Sequence, residues 1–187
     1  GPGSDSLWTG NWDPSRLLDL YQLAIRLWQC EDADEVVQTA LELLHAQTGA
    51  SVTGFLWLHD DGQLKPRCVI PAGAGDAVGL SDSLTDMVCR QRRAIWINRE
   101  SSFGEAASLK QFADGFCVPL VHEQATLGAV HVYREAGAFQ DQDFDQALAL
   151  ARLLAVALAR TRQQSRLKVD HQRLVAKNAT GDEMIGD

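Results

Sequence analysis

Four cysteines, two histidines and one strand arginine are the side chains in this sequence best suited to chemistry. Cys30, Cys68, Cys89 and Cys117 are widely spaced. They form no CxxC pair for zinc or dithiol exchange, and no ladder of the kind that staples a secreted domain. That usage fits a reducing, cytoplasmic home. His122 and His131 are too few for a metal centre by themselves, and no HxxH or HxxxH pair supplements them, so no metal is expected. His122 reads as a turn residue and His131 as a satisfied strand residue. Arg67 offers a planar fork that suits an anion, or else a solvated strand position. The net charge of −8 and a pI near 5.0 would repel a phosphate backbone or an anionic bilayer over most of the surface, so neither nucleic acid nor membrane is an expected partner. No apolar run approaches the ~20 residues that a membrane span needs.

The elements that must position these groups can be read from periodicity. Asp13-Pro14 opens a first helix, with Asp as N-cap and Pro at the first helical position. Its apolar stripe is Leu17, Leu20, Tyr21, Ala24, Leu27 and Trp28, widened by Leu18 and Ile25. A second helix starts at Asp32, whose spacing to Glu35 fits a capping box, and stops at Gly49. Ser51 to Leu58 is a strand apolar on both faces, which places it centrally in a sheet. His59-Asp60-Asp61-Gly62 supplies a tight turn, and Leu64 to Ile70 returns with Lys65 and Arg67 on one face. A Gly-rich loop leads to a helix from about Ser81 to Arg92, packing through Leu84, Val88 and Met87. Ala94 to Asn98 is a short strand, followed by a polar loop from Arg99 to Ala106 and a helical turn carrying Leu109 and Phe112.

The last hairpin and helix, Gly115 to Arg160, carry a family likeness. Val118-Pro119-Leu120, a short polar turn, Leu127-Gly128-Ala129-Val130 and a helix almost at once make an order that resembles the closing segment of a GAF domain. The resemblance covers roughly Leu17 to Arg160. It implies an α+β fold: a central antiparallel sheet with the N- and C-terminal helices on one face and loops or short helices on the other. It also implies a small intracellular sensing and dimerising module rather than an enzyme. On this reading residues 1–4 are a protease-cleavage scar, 5–160 the GAF domain and 161–187 a helical linker.

Family chemistries can be tested residue by residue. Cyclic-nucleotide-binding members carry an Asn-Lys…Phe…Asp-Glu signature, but Arg99 follows Asn98 here and no Asp-Glu pair matches. Bilin-binding members commonly have His after the anchoring Cys, and none of the four cysteines precedes a histidine. Free methionine sulfoxide reductases need neighbouring cysteines; Cys89 and Cys117 do not have that spacing and read rather as small buried hydrophobes. The iron-binding, nitric-oxide-sensing pattern wants an Asp where Arg134 stands, and a Cys further ahead of Pro119 than Cys117. No cofactor is identified. The resemblance implies a ligand cavity bordered by Trp57, Arg67, Cys89, Trp96, Phe112, Phe116 and His131, with a small-molecule ligand left open. The plain alternative is that the aromatic residues are core.

Ala147 to Ala159 reads ALALARLLAVALA, with Arg152 as its sole polar residue. Phe144, Leu148, Ala151, Ala155 and Leu158 already make the stripe that a sheet needs. Leu150, Leu153, Leu154 and Ala157 form a second stripe that must pack on the first helix, on its copy in another subunit, or on both. A homodimer through the terminal helices is expected, with Leu17, Tyr21 and Trp28 joining those four. Beyond Arg160 the chain turns polar, with Leu167 and Leu174 one heptad apart. Two readings stand: a short parallel coiled coil in the same interface, or a solvated tail. Continuous from Asp141 to Lys177, the helix would be roughly 55 Å long. Asp182-Glu183-Met184-Ile185-Gly186-Asp187 resembles the lead-in to the AAA+ ATPase domain of sigma-54-dependent transcription activators. That implies a C-terminal effector domain and transcription control. Three hypotheses follow: a regulatory dimer that relays a signal along its last helix, a small-molecule redox enzyme using Cys89 or Cys117, and a ligand-free interaction module.

Overall fold

A computed structural model describes residues 13–59, 62–74, 82–98 and 109–183. Gly75 at the end of the Gly-rich loop, Ser81 at the expected start of the next helix, the expected loop at 99–106, the turn residues Asp60 and Asp61, the N-terminal scar and residues 184–187 of the lead-in lie outside those residues. Helix α1, Pro14–Gln29, begins as its residues dictate, with the Asp13 carboxylate accepting the Ser15 N–H at 3.0 Å. Helix α2, Ala33–Thr48, ends on Gly49, whose left-handed backbone (φ 60°) is the conformation glycine adopts without strain. At its other end the capping-box expectation is corrected, since the Asp32 side chain makes no cap hydrogen bond.

Five strands follow: β1 Val52–Leu58, β2 Leu64–Ile70, β3 Ile95–Asn98, β4 Asp114–His122 and β5 Ala125–Arg134. They form one antiparallel sheet in the order β2-β1-β5-β4-β3. β5 takes the centre and β1 lies one strand in from the edge, a correction to the expected central β1. β1 is still buried on both faces, because layers cover both sides of the sheet. The β1–β2 register slips between Phe55 and Leu56, opposite the stretch that contains Arg67.

Strand alternation sends every second side chain to a different layer. Phe55, Trp57, Phe116, Val118, Val130 and Val132 join a core under α1, α2 and the last helix, α4, Asp141–Glu183. Val52, Leu56, Cys117, Ala129 and Tyr133 join a second, smaller core under helix α3, Asp82–Gln91, together with Leu109 and Phe112. The fold class expected from the sequence is the one observed. Gly128 shows why the last hairpin needs a glycine: a Cβ there would stand 2.2 Å from the Leu56 carbonyl oxygen.

α4 is a single helix, longer than expected, reaching Glu183 without interruption. Asp143 anchors its first turn by accepting the Gln140 N–H at 2.9 Å and pairing with Arg16 of α1 at 3.0 Å. One turn further on, Gln146 donates to Gln47 of α2, which donates to Asp19 of α1. Three helices are thus cross-linked by polar contacts that flank an apolar seam.

Candidate functional site

Two regions hold the residues singled out from the sequence, and they lie on opposite faces of the sheet. Under α3 the centre is His131, fully buried on β5. Its Nε2 stands 2.7 Å from the hydroxyl of buried Thr85 on α3 and 3.5 Å from Cys117 Sγ on the neighbouring strand. Its Nδ1 stands 2.6 Å from the Tyr133 hydroxyl, and the Tyr133 ring stacks on Phe112 with centroids 4.7 Å apart. Burial pushes the His131 pKa down to about 3, so the imidazole is neutral at physiological pH. A neutral ring offers one N–H and one acceptor nitrogen, so one of its hydroxyl neighbours donates to it and the other accepts from it.

Nearby thiols are held in their protonated form. Burial raises the Cys117 thiol well above its ordinary range, with Cys89 adding to the effect, and burial pushes Cys89 up to about 11. The thiolate is the nucleophile in disulfide chemistry, so neither sulfur is poised for the redox reading. Cys30, which donates to the Arg26 carbonyl, and half-buried Cys68 are also shifted upward, chiefly by burial. Among the described residues, no group of three or more His, Cys, Asp or Glu is placed to hold a metal ion.

The structure brings Cys89, Phe112 and His131 together here and separates the other expected cavity residues from them. Trp57, Trp96 and Phe116 point to the opposite face, a correction set by strand phase. Trp57 packs edge-on to Phe55, with the Arg162 guanidinium 3.9 Å from its ring centroid. Trp96 stacks on Phe144 at 5.2 Å, and Phe116 packs against Phe139 and Phe144 at 4.9 and 5.5 Å. The Arg67 side chain lies outside the description, so nothing is assigned to it. Thr85 and Tyr133 were not anticipated. The signal for Tyr133 was its i+2 spacing from His131, whereas Thr85 joins through the tertiary placement of α3.

Asp114 was also missed. Nearly buried at the start of β4, it accepts the Trp96 indole N–H at 2.9 Å, the Gly115 N–H at 2.8 Å and the Phe139 N–H at 2.8 Å. It thereby fixes β3 and the approach to α4. Arg134 binds the Ala138 carbonyl at 2.8 Å and the Thr48 carbonyl, and lies over the Phe139 ring. His122 stands at the end of β4, beside the turn Glu123-Gln124.

The second region is the outer face of α1 and α4. Leu20, Leu23 and Leu27 of α1 are buried, but the neighbouring arc of Leu17, Leu18, Tyr21, Ile25 and Trp28 is exposed, Tyr21 at 64% and Trp28 at 68%. On α4, Leu150 and Leu154 are fully enclosed within one chain and Ala157 nearly so, because α2 as well as α1 packs on them. Leu150 and Leu154 present no surface to a second copy, which corrects their assignment to the dimer face. Leu153 stays partly open. It lines, with Val156, Ala157, Arg160 and Ala24, Leu27 and Trp28 of α1, a largely apolar groove of ≈ 160 Å³. Past Thr161 the helix is exposed almost throughout, Leu167 and Leu174 at 61% each. No helix among the described residues is long and apolar enough to cross a membrane.

A family model described as "GAF domain" matches residues 30–159. Solved structures share the fold at low identity. The GAF domain of an Acinetobacter phosphoenolpyruvate-protein phosphotransferase is 14% identical with a TM-score of 0.69, over 81% of this chain and 97% of that one. The GAF domain of a two-component sensor histidine kinase from Bacillus halodurans is 15% identical with a TM-score of 0.60, over 73% and 99%. A GAF domain/HD domain protein from Geobacter sulfurreducens is 17% identical with a TM-score of 0.60, over 73% and 98%. No sequence among the curated proteins matches.

Proposed function

This chain belongs to the GAF family, and on that premise we propose that it is a regulatory sensory domain that dimerises through α1 and α4 and relays its state along α4 to a C-terminal effector. One observation carries the reading: α4 is continuous from the core to Glu183, so a single rigid element is packed at one end and exposed at the other. An exposed helical segment of this composition is marginal alone in water, which favours a partner for the tail. The arc of Leu17, Leu18, Tyr21, Ile25 and Trp28 beside Leu153 and Val156 is the apolar surface that a second copy would cover. Signals reach such a dimer through a difference in affinity between two arrangements, and a small ligand would act by favouring one of them.

Finer assignments belong to the same proposal. Regulatory GAF neighbours, such as the histidine kinase domain, support a signalling role. Transcription control by a sigma-54-type effector rests on Asp182 to Asp187 and on their place after a GAF domain and a helical linker. Light scattering across the micromolar range tests the core claim. The expected result is a dimer that Tyr21→Glu with Ile25→Glu converts to a folded monomer, and a wild-type monomer at high micromolar concentration overturns it. Native mass spectrometry of the same sample reads any retained small molecule. The alternative of a ligand-free interaction module is favoured by one observation: both ring nitrogens of His131 already have internal partners.

A further inference from the structure

Arg160 stands where the packed half of α4 becomes the exposed half. Counting heptads back from Leu174 and Leu167 brings Arg160 and then Leu153 onto the same seam, with Ala157, Gln164, His171 and Asn178 in the companion positions. Leu153, Ala157 and Arg160 line the groove against α1. The groove and the exposed seam are therefore one continuous face of one helix. A second copy covering this face in parallel register would set Gln164, His171 and Asn178 each against its identical residue, and Lys177 against Asp182 of that copy. An arginine on such a seam would meet its own copy, like charge against like charge in a partly desolvated layer.

The guanidinium is drawn aside instead. Arg160 Nη2 donates to the Cys30 carbonyl at 2.7 Å, and the guanidinium carbon lies 4.6 Å from the centre of the Trp28 ring. Cys30 caps the C-terminal end of α1, where the helix carries partial negative charge, and the ring face is negative too, so both neighbours favour a cation. The Arg160 Nε is buried without a hydrogen-bond partner. Docking is thus incompletely satisfied, as suits a contact that can be released.

We propose that Arg160 is a removable obstacle in the dimer seam. Docked on Trp28 and the Cys30 carbonyl, it leaves the seam free of like charge from Leu153 to Leu174 and permits parallel pairing with a second copy. Released, it sets two guanidinium ions against each other at the root of the exposed segment and opens it. The position of the α1 C-terminal end thereby controls whether the two exposed helices pair. This inference rests on the dimer reading above and names the residue that regulates it.

Sedimentation of the full chain tests it with wild type, Trp28→Leu, Arg160→Leu and the double variant. Trp28→Leu keeps an apolar side chain and removes the ring, and should raise the dimer dissociation constant about three- to thirtyfold. Arg160→Leu should dimerise at least as tightly as wild type, because leucine suits the seam, and the double variant should dimerise more tightly than Trp28→Leu alone. Arg160→Glu is attracted by neither neighbour and should weaken the dimer with Trp28 intact. A loss in Trp28→Leu that Arg160→Leu does not restore even in part means that the loss comes entirely from Trp28's own place on the surface facing the second copy, and overturns the proposal. An unchanged constant in Trp28→Leu or Arg160→Glu overturns it as well. A wild-type monomer at every concentration overturns the dimer reading and this proposal together, and the wild-type mass tells that case apart. Unchanged far-ultraviolet spectra confirm that each variant is folded.

Discussion

Acidification isolates the imidazole of His131. Its pKa falls by burial from the ordinary 6.5 to about 3. Between those values the unfolded chain binds a proton that the folded chain refuses. His131 therefore contributes full stability above about pH 6.5 and progressively less as the pH falls towards 3. At pH 4.5 the native imidazole is still neutral, so the loss is set by the unfolded value alone. Two pH units at about 1.4 kcal/mol each give ~3 kcal/mol, a large share of a typical domain's stability. His131→Gln keeps polar atoms at the site but cannot titrate. Urea unfolding at pH 7.5, 6.5, 5.5 and 4.5, at one protein concentration because association also shifts the midpoint, gives the stability of both proteins. Every other group is common to both proteins, so the difference between the curves belongs to His131. The variant should be less stable by about 1–3 kcal/mol at pH 7.5, through its poorer hydrogen bonds, and should close that gap or overtake wild type by pH 4.5. Parallel curves refute the reasoning.

Three further outcomes are expected. Gly128→Ala should lower stability by about 1–3 kcal/mol or more in thermal melts, because its Cβ would press into the Leu56 carbonyl and the Phe55 ring. Asp114→Asn takes the charge from all three hydrogen bonds and turns an amide NH2 towards at least one of the N–H donors; a loss of about 1.5–3 kcal/mol should appear with a shift in Trp96 fluorescence. Under native conditions an alkylating reagent followed by mass spectrometry should modify half-buried Cys68 first and fully enclosed Cys117 last, with Cys89 slowed by a pKa near 11.

Local chemistry made several boundaries legible, and phase hid the site. Asp13-Pro14 and Gly49 mark helix ends because the reasons are confined to a turn of chain. β1 gave no such guidance: Leu56 and Trp57 are both apolar, no polar residue marks an outer face, and which one faces α3 depends on the layers above and below. The family resemblance, which places residues by element and not by face, groups Trp57, Trp96 and Phe116 with His131. Cys117 lies directly across from His131 in the ladder, a pairing that follows from the hairpin register. Thr85 arrives from a helix distant in sequence, with no local signal. The apolar circumference of α4 was plain from ALALARLLAVALA, but Leu150 and Leu154 of its second stripe are enclosed within the chain's own core, which periodicity could not assign.

The unbroken course of α4 fixes rotational phase as well as distance. An α-helix turns about 100° per residue, so anything joined beyond Glu183 faces a direction set by residue count alone. Inserting one residue after Thr161 would swing that direction by about 100°, whereas seven would restore it nearly and lengthen the arm by ~10 Å. Output that survives the longer insertion and fails with the shorter one would show that orientation, rather than reach, is what this helix transmits.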